Sequence, residues 1–238
     1  FASCFKPFVH MVSIGESLGN TVIMKTSGLA EHVKGKKEFD QKSQARYHHM
    51  LFLSWKRHFF HHIRRTAKAG PGLDEYTARA FHTIPDLPEQ PRILDIGCGS
   101  GMQTLMLARL CPDAVITASD IHQPFLDDVN ERAKKAGLDG RITTVRASMD
   151  DLPFPDDSFD LIWAEGSVFI MGFRQALSQW MRLLTPEGYV ALSDLVWFTH
   201  TPTQECRDFF AKEYPAMVHE DEAQGMILEA GYRILDTL

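Results

Sequence analysis

The sequence predicts an α/β fold, a doubly wound and mostly parallel sheet with helices on both faces. Three observations carry the prediction. From Arg92 onward, short apolar runs alternate with amphipathic stretches of helical length. A glycine-rich turn at Gly97, Gly99 and Gly101 follows the first of these runs and leads into a helical pattern. The 238 residues, 44% hydrophobic and 24% charged, have the length and composition of one large globular domain. That composition excludes a disordered chain, a collagen-like fibre and a disulfide-dense scaffold.

The elements follow in order. Residues 92–96 read as a strand and 103–110 as a helix, with Leu105, Ala108 and Leu110 among its apolar positions. Residues 114–118 form a second strand. Pro124 stands near the start of the next helix, where its missing N–H costs nothing. Phe125, Val129 and Ala133 repeat at i, i+4 and i+8, and Gly137 ends that helix. Residues 142–145 and 159–163 are the third and fourth strands. The stretch 173–184 is a helix that turns Ala176, Leu177, Trp180 and Leu184 inward. Thr185-Pro186-Glu187-Gly188 turns into a fifth strand over 189–195. A helix over 220–230 and a strand over 232–238 complete the pattern. Right-handed crossovers make this a two-layered wrap around one sheet, with its ligand crevice beyond the carboxyl ends of the central strands.

The front of the chain reads differently. Residues 1–70 carry 12 Lys/Arg against 4 Asp/Glu, a balance of +8 within a net charge of −6; the remainder carries −14. Residues 1–45 form an extension of unassigned role, with β-prone runs at 12–14 and 21–24 that fit a hairpin. Residues 46–91 are expected to be a helical cap. Leu51, Trp55, Phe59 and Ile63 share a face of its main helix, and Ala69-Gly70-Pro71-Gly72 ends it. Its basic and aromatic residues, Lys56 to Arg65, also fit contact with an acidic surface, nucleic acid or a membrane face. His58 and His62 lack a third local ligand, so no metal site is expected. Cys4, Cys98, Cys111 and Cys206 are scattered, which fits a reducing cytoplasm. No apolar run approaches the roughly 20 residues of a membrane span, and no secretory signal is legible.

The chemistry concentrates in three segments. In Ile93-Leu94-Asp95-Ile96-Gly97-Cys98-Gly99-Ser100-Gly101 a strand runs through glycines into a helix N-terminus. Glycines there admit a close approach of ligand to backbone. The spacing departs from the dinucleotide fingerprint, because Met102 stands where the third glycine of G-x-G-x-x-G belongs. Asp95 just before the turn would repel a pyrophosphate and accept from an ammonium group. Nineteen residues after Gly101, Asp120 ends the second strand, where a carboxylate accepts from both hydroxyls of a ribose. The third segment, Ala147-Ser148-Met149-Asp150-Asp151-Leu152-Pro153-Phe154, follows the third strand. Beyond it, Asp156, Asp157 and Asp160 read as an exposed acidic turn. Glu165 ends the fourth strand, placed to deprotonate or orient a substrate, to touch a cofactor, or merely to cap the next helix. Trp197, Phe198 and His200 follow the fifth strand and are candidates for the mouth of a substrate site.

With these motifs in order, residues 70–238 resemble the class I S-adenosylmethionine-dependent methyltransferases, in particular their small-molecule branch. The resemblance implies a Rossmann-like domain over 92–238. It implies that Asp95, Gly97, Cys98, Gly99 and Gly101 cradle the amino-acid part of S-adenosylmethionine. Asp120 then holds the ribose and Ile121 packs on adenine. Ser148 stands where relatives carry the acid that binds the adenine amino group, and Met149 lies beside it. Glu165 is the candidate catalytic residue. The family's sheet has a last antiparallel strand that this sequence does not place after Leu238. Either the chain is a fragment or the sheet is closed in another way.

The implied activity is transfer of a methyl group to a small-molecule acceptor by direct in-line displacement. A nucleic-acid acceptor is disfavoured, since no Asn-Pro-Pro-Tyr-type run is present and the basic segment precedes the first motif. The alternative is a catalytically weak S-adenosylmethionine-binding regulatory or interaction protein that uses the basic helix. A nicotinamide oxidoreductase is disfavoured by Met102.

Overall fold

The computed structural model describes residues 5–13, 22–25, 74–197 and 199–237. Elements are β1 (Phe5–Ser13), β2 (Val22–Lys25), α1 (Asp74–Phe81), β3 (Arg92–Ile96), α2 (Met102–Leu110), β4 (Val115–Asp120), α3 (Gln123–Lys135), β5 (Ile142–Arg146) and β6 (Phe159–Glu165). A 3-10 turn (Val168–Ile170), α4 (Phe173–Trp180), a second 3-10 turn (Met181–Leu183), β7 (Leu184–Trp197), α5 (Gln204–Glu213), α6 (Glu220–Glu229) and β8 (Arg233–Thr237) follow. The main helix expected in the 46–91 cap, with Lys56 to Arg65 and the His58/His62 pair, lies outside the described residues.

Strands β5, β4, β3, β6 and β7 form a continuous parallel block in that order. Alternation along the strands divides the core into two layers. Leu94, Ile96, Ile162, Ala164, Val190 and Leu192 pack toward α4 and α6, through Ala176, Leu177, Trp180, Ala223 and Ile227. Ile93, Ile116, Ala118, Leu161, Trp163 and Ala191 pack on the opposite face against Ala80 of α1, Leu107 and Ala108 of α2, and Leu126, Val129 and Ala133 of α3. The helices sit on both faces, as the alternating pattern required.

The antiparallel place beside β7, for which the sequence offered no strand at the end of the chain, is filled from the front. β1 lies between β7 and β8, antiparallel to both, and pairs with β7 in register from Phe5↔Trp197 to Ser13↔Tyr189. β2 adds parallel to β8 and also pairs antiparallel with β1, Val9 opposite Met24. The hairpin expected near 12–24 is therefore present as pairing, with its first strand displaced toward Phe5. The physical reason is the unpaired edge that β7 would otherwise present: its N–H and C=O groups take any strand that satisfies them. A local pattern cannot say which distant edge a strand will join.

Two further details depart from expectation. Asp160 is not part of an exposed turn. Its carboxylate accepts from the backbone N–H of Arg92 at 2.8 Å, and from the Arg92 guanidinium and Thr185 Oγ1 at 3.3 Å, joining the starts of β3, β6 and β7. Helix α5 was not read from the sequence. Thr203 caps it, accepting from Cys206 N at 3.3 Å, and Phe210, Tyr214 and Met217 close a small third core against Leu195 and Trp197.

Candidate cofactor and active site

The segments singled out in the sequence meet at the carboxyl ends of β3, β4, β5 and β6. Gly97 and Gly101 adopt φ of 70° and 80°, a region that penalises any side chain. The reason for glycine there is packing on protein. A Cβ at Gly97 would lie 2.6 Å from Ser167 Cβ, and one at Gly101 would lie 2.7 Å from Val129 Cγ2. The loop is thus pressed between the turn after β6 and helix α3.

Four of the five amides over 97–101 donate inside the protein. Gly97 N and Cys98 N both donate to Ser119 O, at 2.8 and 3.0 Å. Gly99 N donates to Asp120 Oδ2 at 3.0 Å, and Gly101 N to Cys98 O at 2.9 Å. A pyrophosphate cradle needs such groups free and no carboxylate beside them. The loop has the opposite character, which counts against the nicotinamide alternative.

Three carboxylates surround the turn. Asp95 is only 2% exposed; Thr104 Oγ1 donates to its Oδ2 at 2.5 Å. Burial pushes its carboxyl up to about 7, and the charges of Glu165 and Asp120 add to the rise against the Thr104 bond. Asp95 therefore lies beneath the loop, covered by the fold and bonded to Thr104. Asp120 is half-buried and fixed at both oxygens, by Gly99 N and by His122 N at 2.9 Å. Each oxygen retains a second lone pair for a hydroxyl donor. Glu165 receives Thr77 Oγ1 of α1 at 3.0 Å and Trp163 Nε1 at 3.2 Å on one oxygen, and Gln103 Nε2 of α2 at 3.4 Å on the other. It does not cap the turn that follows, whose first residue is preceded by Ser167 without a side-chain cap. Ser167 Oγ instead donates to Ile96 O at 2.8 Å.

The remaining candidates divide. Ile121 is 54% exposed beside Asp120, an apolar surface open to a flat ring. Ala147 N donates to Asp120 O at 3.2 Å, which brings the 147–149 segment to the same edge. Met149 reaches the loop: its Cε lies 3.6 Å from the Cβ position of Gly97, and its carbonyl accepts from Trp180 Nε1 at 3.0 Å. Ser148 turns the chain, its carbonyl accepting from Asp151 N at 3.0 Å. Cys98 points the other way. Its side chain is buried in the core with Ile93 and Leu107, and burial pushes the thiol far up, so it can offer a ligand only backbone.

A second group of residues lies further along β7, which runs four residues past Ser193, the partner of Glu165. Trp197 and His200, anticipated at a substrate mouth, line a cavity of about 330 Å³ there with residues of α5 and the segment after it. Phe198 lies outside the described residues. The α5 residues were missed, although Thr203, with Glu205 in the first turn and Cys206 and Phe210 at i and i+4, is a legible helix start. Among the described residues no group of His, Cys, Asp and Glu could hold a metal ion, and no helix is long and apolar enough to cross a membrane.

Comparison with known proteins agrees with this geometry. The methyltransferase-domain family matches residues 93–188. The chain is 34% identical over 168 residues to the 27-O-demethylrifamycin SV methyltransferase of Amycolatopsis mediterranei, covering 67% of this chain and 61% of that protein. It is 31% identical over 146 residues to the O-methyltransferase cnsE of Penicillium expansum, covering 60% of this chain and 52% of that one. The chain thus spans about half to three fifths of the length of these relatives. Among solved structures, a SAM-dependent methyltransferase from Geobacter sulfurreducens in complex with S-adenosyl-L-homocysteine superposes with a TM-score of 0.63 at 22% identity, covering 73% of this chain and 69% of that one. The [4+2]-cyclase SpnF superposes at 0.57 with 26% identity, covering 68% and 59%. Glycine loop, strand order and relatives converge: residues 93–188 match the methyltransferase-domain family, and the chain is similar to the class I S-adenosylmethionine-dependent methyltransferases.

Proposed function

We propose that the protein transfers a methyl group from S-adenosylmethionine to a small-molecule acceptor. The observation that carries this is the convergence of Asp120 and Glu165, with Asp95 buried beneath them, around a glycine loop most of whose amides are already engaged. Such a site favours a cation and disfavours a phosphate. The residues fit S-adenosylmethionine, which bears ammonium and sulfonium charges and a ribose diol. Asp120 accepts from the diol, Ile121 and Met149 bracket the base, and Ser148 offers it a polar edge. The 97–101 backbone walls the amino-acid end, with Cys98 contributing only main chain. When bound, S-adenosylmethionine supplies a methyl group already activated on sulfur.

The protein's task is then to position and to exclude water. Glu165 is the catalytic candidate, orienting or deprotonating the acceptor, and its three donors hold it in one place. Of the segment expected to be a cap, the described helix α1 delivers Thr77 to Glu165. The described cysteines are free, which supports a reducing, cytoplasmic setting. A small acceptor is favoured over nucleic acid, because one relative is named for the small molecule 27-O-demethylrifamycin SV and the basic segment precedes the fold's motifs.

Calorimetric titration of the full chain with S-adenosylmethionine and S-adenosylhomocysteine tests the reading; no heat in a folded sample refutes it. Glu165→Gln should lower kcat at least tenfold with cofactor affinity nearly unchanged. Loss of cofactor affinity instead would make Glu165 a scaffold residue. The likeness to a [4+2]-cyclase favours one second reading, a cofactor-binding protein that does not methylate. Binding of S-adenosylhomocysteine with no methyl transfer across a metabolite panel would select it.

A further inference from the structure

The cavity beyond β7 has features that cofactor binding does not use. It stands at the same edge of the sheet as the glycine loop. Ser193 of β7 pairs with Glu165, and Trp197 lies four residues further along that strand. Ser167, which presses on Gly97, is followed two residues later by Phe169, whose ring meets Tyr214 of the cavity wall at 6.0 Å. Its volume of about 330 Å³ falls within the size range of small-molecule sites.

Its walls are aromatic and braced. Trp197 and Phe210 meet edge to face at 5.4 Å. His200 and His219 stack at 4.4 Å with 23° between ring planes. The Tyr214 hydroxyl donates to buried Asp194 Oδ2 at 2.6 Å, while Leu195 N donates to Asp194 Oδ1 at 2.7 Å. The cavity therefore meets the tyrosine ring, and the carboxylate behind it is already covered. Flat faces and ring edges held in fixed orientation suit a planar ring better than a flexible chain.

One cation faces this space. Arg207 donates from Nη1 to Pro202 O, and from Nε and Nη2 to Gln204 Oε1 at 3.3 and 3.1 Å. These acceptors are neutral carbonyls that fix the guanidinium's direction without neutralising it. No carboxylate pairs with Arg207 among the described residues. A guanidinium has five N–H groups, so donors remain for a bidentate acid.

We infer that this cavity receives the methyl acceptor, and that the acceptor is a planar aromatic or conjugated acid whose carboxylate pairs with Arg207. The assignment of the occupant as acceptor rests on the methyltransferase function proposed above; the ligand chemistry rests on the cavity alone.

The test uses the full chain, with and without saturating S-adenosylhomocysteine, and two probes of equal shape, 4-hydroxybenzoate and 4-hydroxybenzamide. Their dissociation constants are measured by calorimetry or ligand-observed NMR. The acid should bind at least tenfold more tightly than the amide. Arg207→Gln should abolish that preference while the affinity for S-adenosylhomocysteine stays as in the parent, which also shows the variant folded. Equal binding of acid and amide, or no binding of either, overturns the inference, as does a preference that survives Arg207→Gln. If S-adenosylhomocysteine fails to bind while the Arg207-dependent preference holds, the methyltransferase reading falls and the ligand class stands.

Discussion

Replacing Gly97 by alanine isolates what holds the glycine loop in place. The residue has φ 70°, and an added Cβ would lie 2.6 Å from Ser167 Cβ and 3.0 Å from its Oγ. The left-handed conformation costs an L-residue about 1–2 kcal/mol. Two carbons at 2.6 Å lie well inside the roughly 3.5–4.0 Å of ordinary contact. Ser167 cannot rotate away, because the clash is with its Cβ and its Oγ is bonded to Ile96 O in a buried site. Overpacking of this kind adds about 1–3 kcal/mol. Gly97→Ala should therefore destabilise the fold by about 2–5 kcal/mol, the sum of the two costs. Adding Ser167→Gly removes the opposing carbon and should restore the packing part, leaving the dihedral cost. Adding Ser167→Ala keeps that carbon and should restore nothing. Urea unfolding of these three variants, the two Ser167 single variants and the parent, read as two double-mutant cycles, measures each part. If Gly97→Ala falls within about 0.5 kcal/mol of the parent, or if the two Ser167 changes rescue equally, the packing argument is wrong.

Other outcomes follow from the same geometry. Asp120→Ala removes a charged acceptor of two backbone N–H groups and, in the proposed complex, of the ribose. At about 1.5–3 kcal/mol for a bond to a charged group, cofactor affinity should drop at least tenfold by calorimetry, and unchanged affinity would refute the role. Asp95 and Asp194 are raised from 3.8 to about 7 and about 6, chiefly by burial. The folded protein thus holds protons that the unfolded chain releases, so their stabilising contribution is full below 3.8 and is lost as pH rises through 6 and 7. The urea midpoint should be lower at about pH 8 than at about pH 5.5, and Asp95→Asn should flatten that slope; an unaltered slope would count against the burial argument. Deleting residues 1–13 uncovers the edges of β7 and β8 that β1 joins. The truncated chain should lose stability and self-associate in sedimentation, whereas an equally stable monomer would show that β1 is dispensable.

The alternation of apolar runs and helical stretches after Arg92 was enough to identify five parallel strands and the helices between them. Each element there is built by short-range periodicity, and each connection is a crossover whose hand is set by the chain's chirality. The glycine loop, Asp120 and Glu165 were legible for a related reason: a doubly wound sheet places the ends of its strands together, so position along the strand predicts position in space. The tertiary structure decided what depends on contacts between distant residues. Gly97 and Gly101 are required by Ser167 and Val129, residues separated from them by 70 and 28 positions. Asp95 lies beneath the loop because Thr104 and the α2 layer cover it. The antiparallel strand came from the front of the chain, because an open edge selects a partner by hydrogen bonding and is indifferent to its place in the sequence. Helix α5 and the cavity it closes belong to the same class, since Arg207, Phe210 and Trp197 come to line one space only when β7 and α5 are packed together.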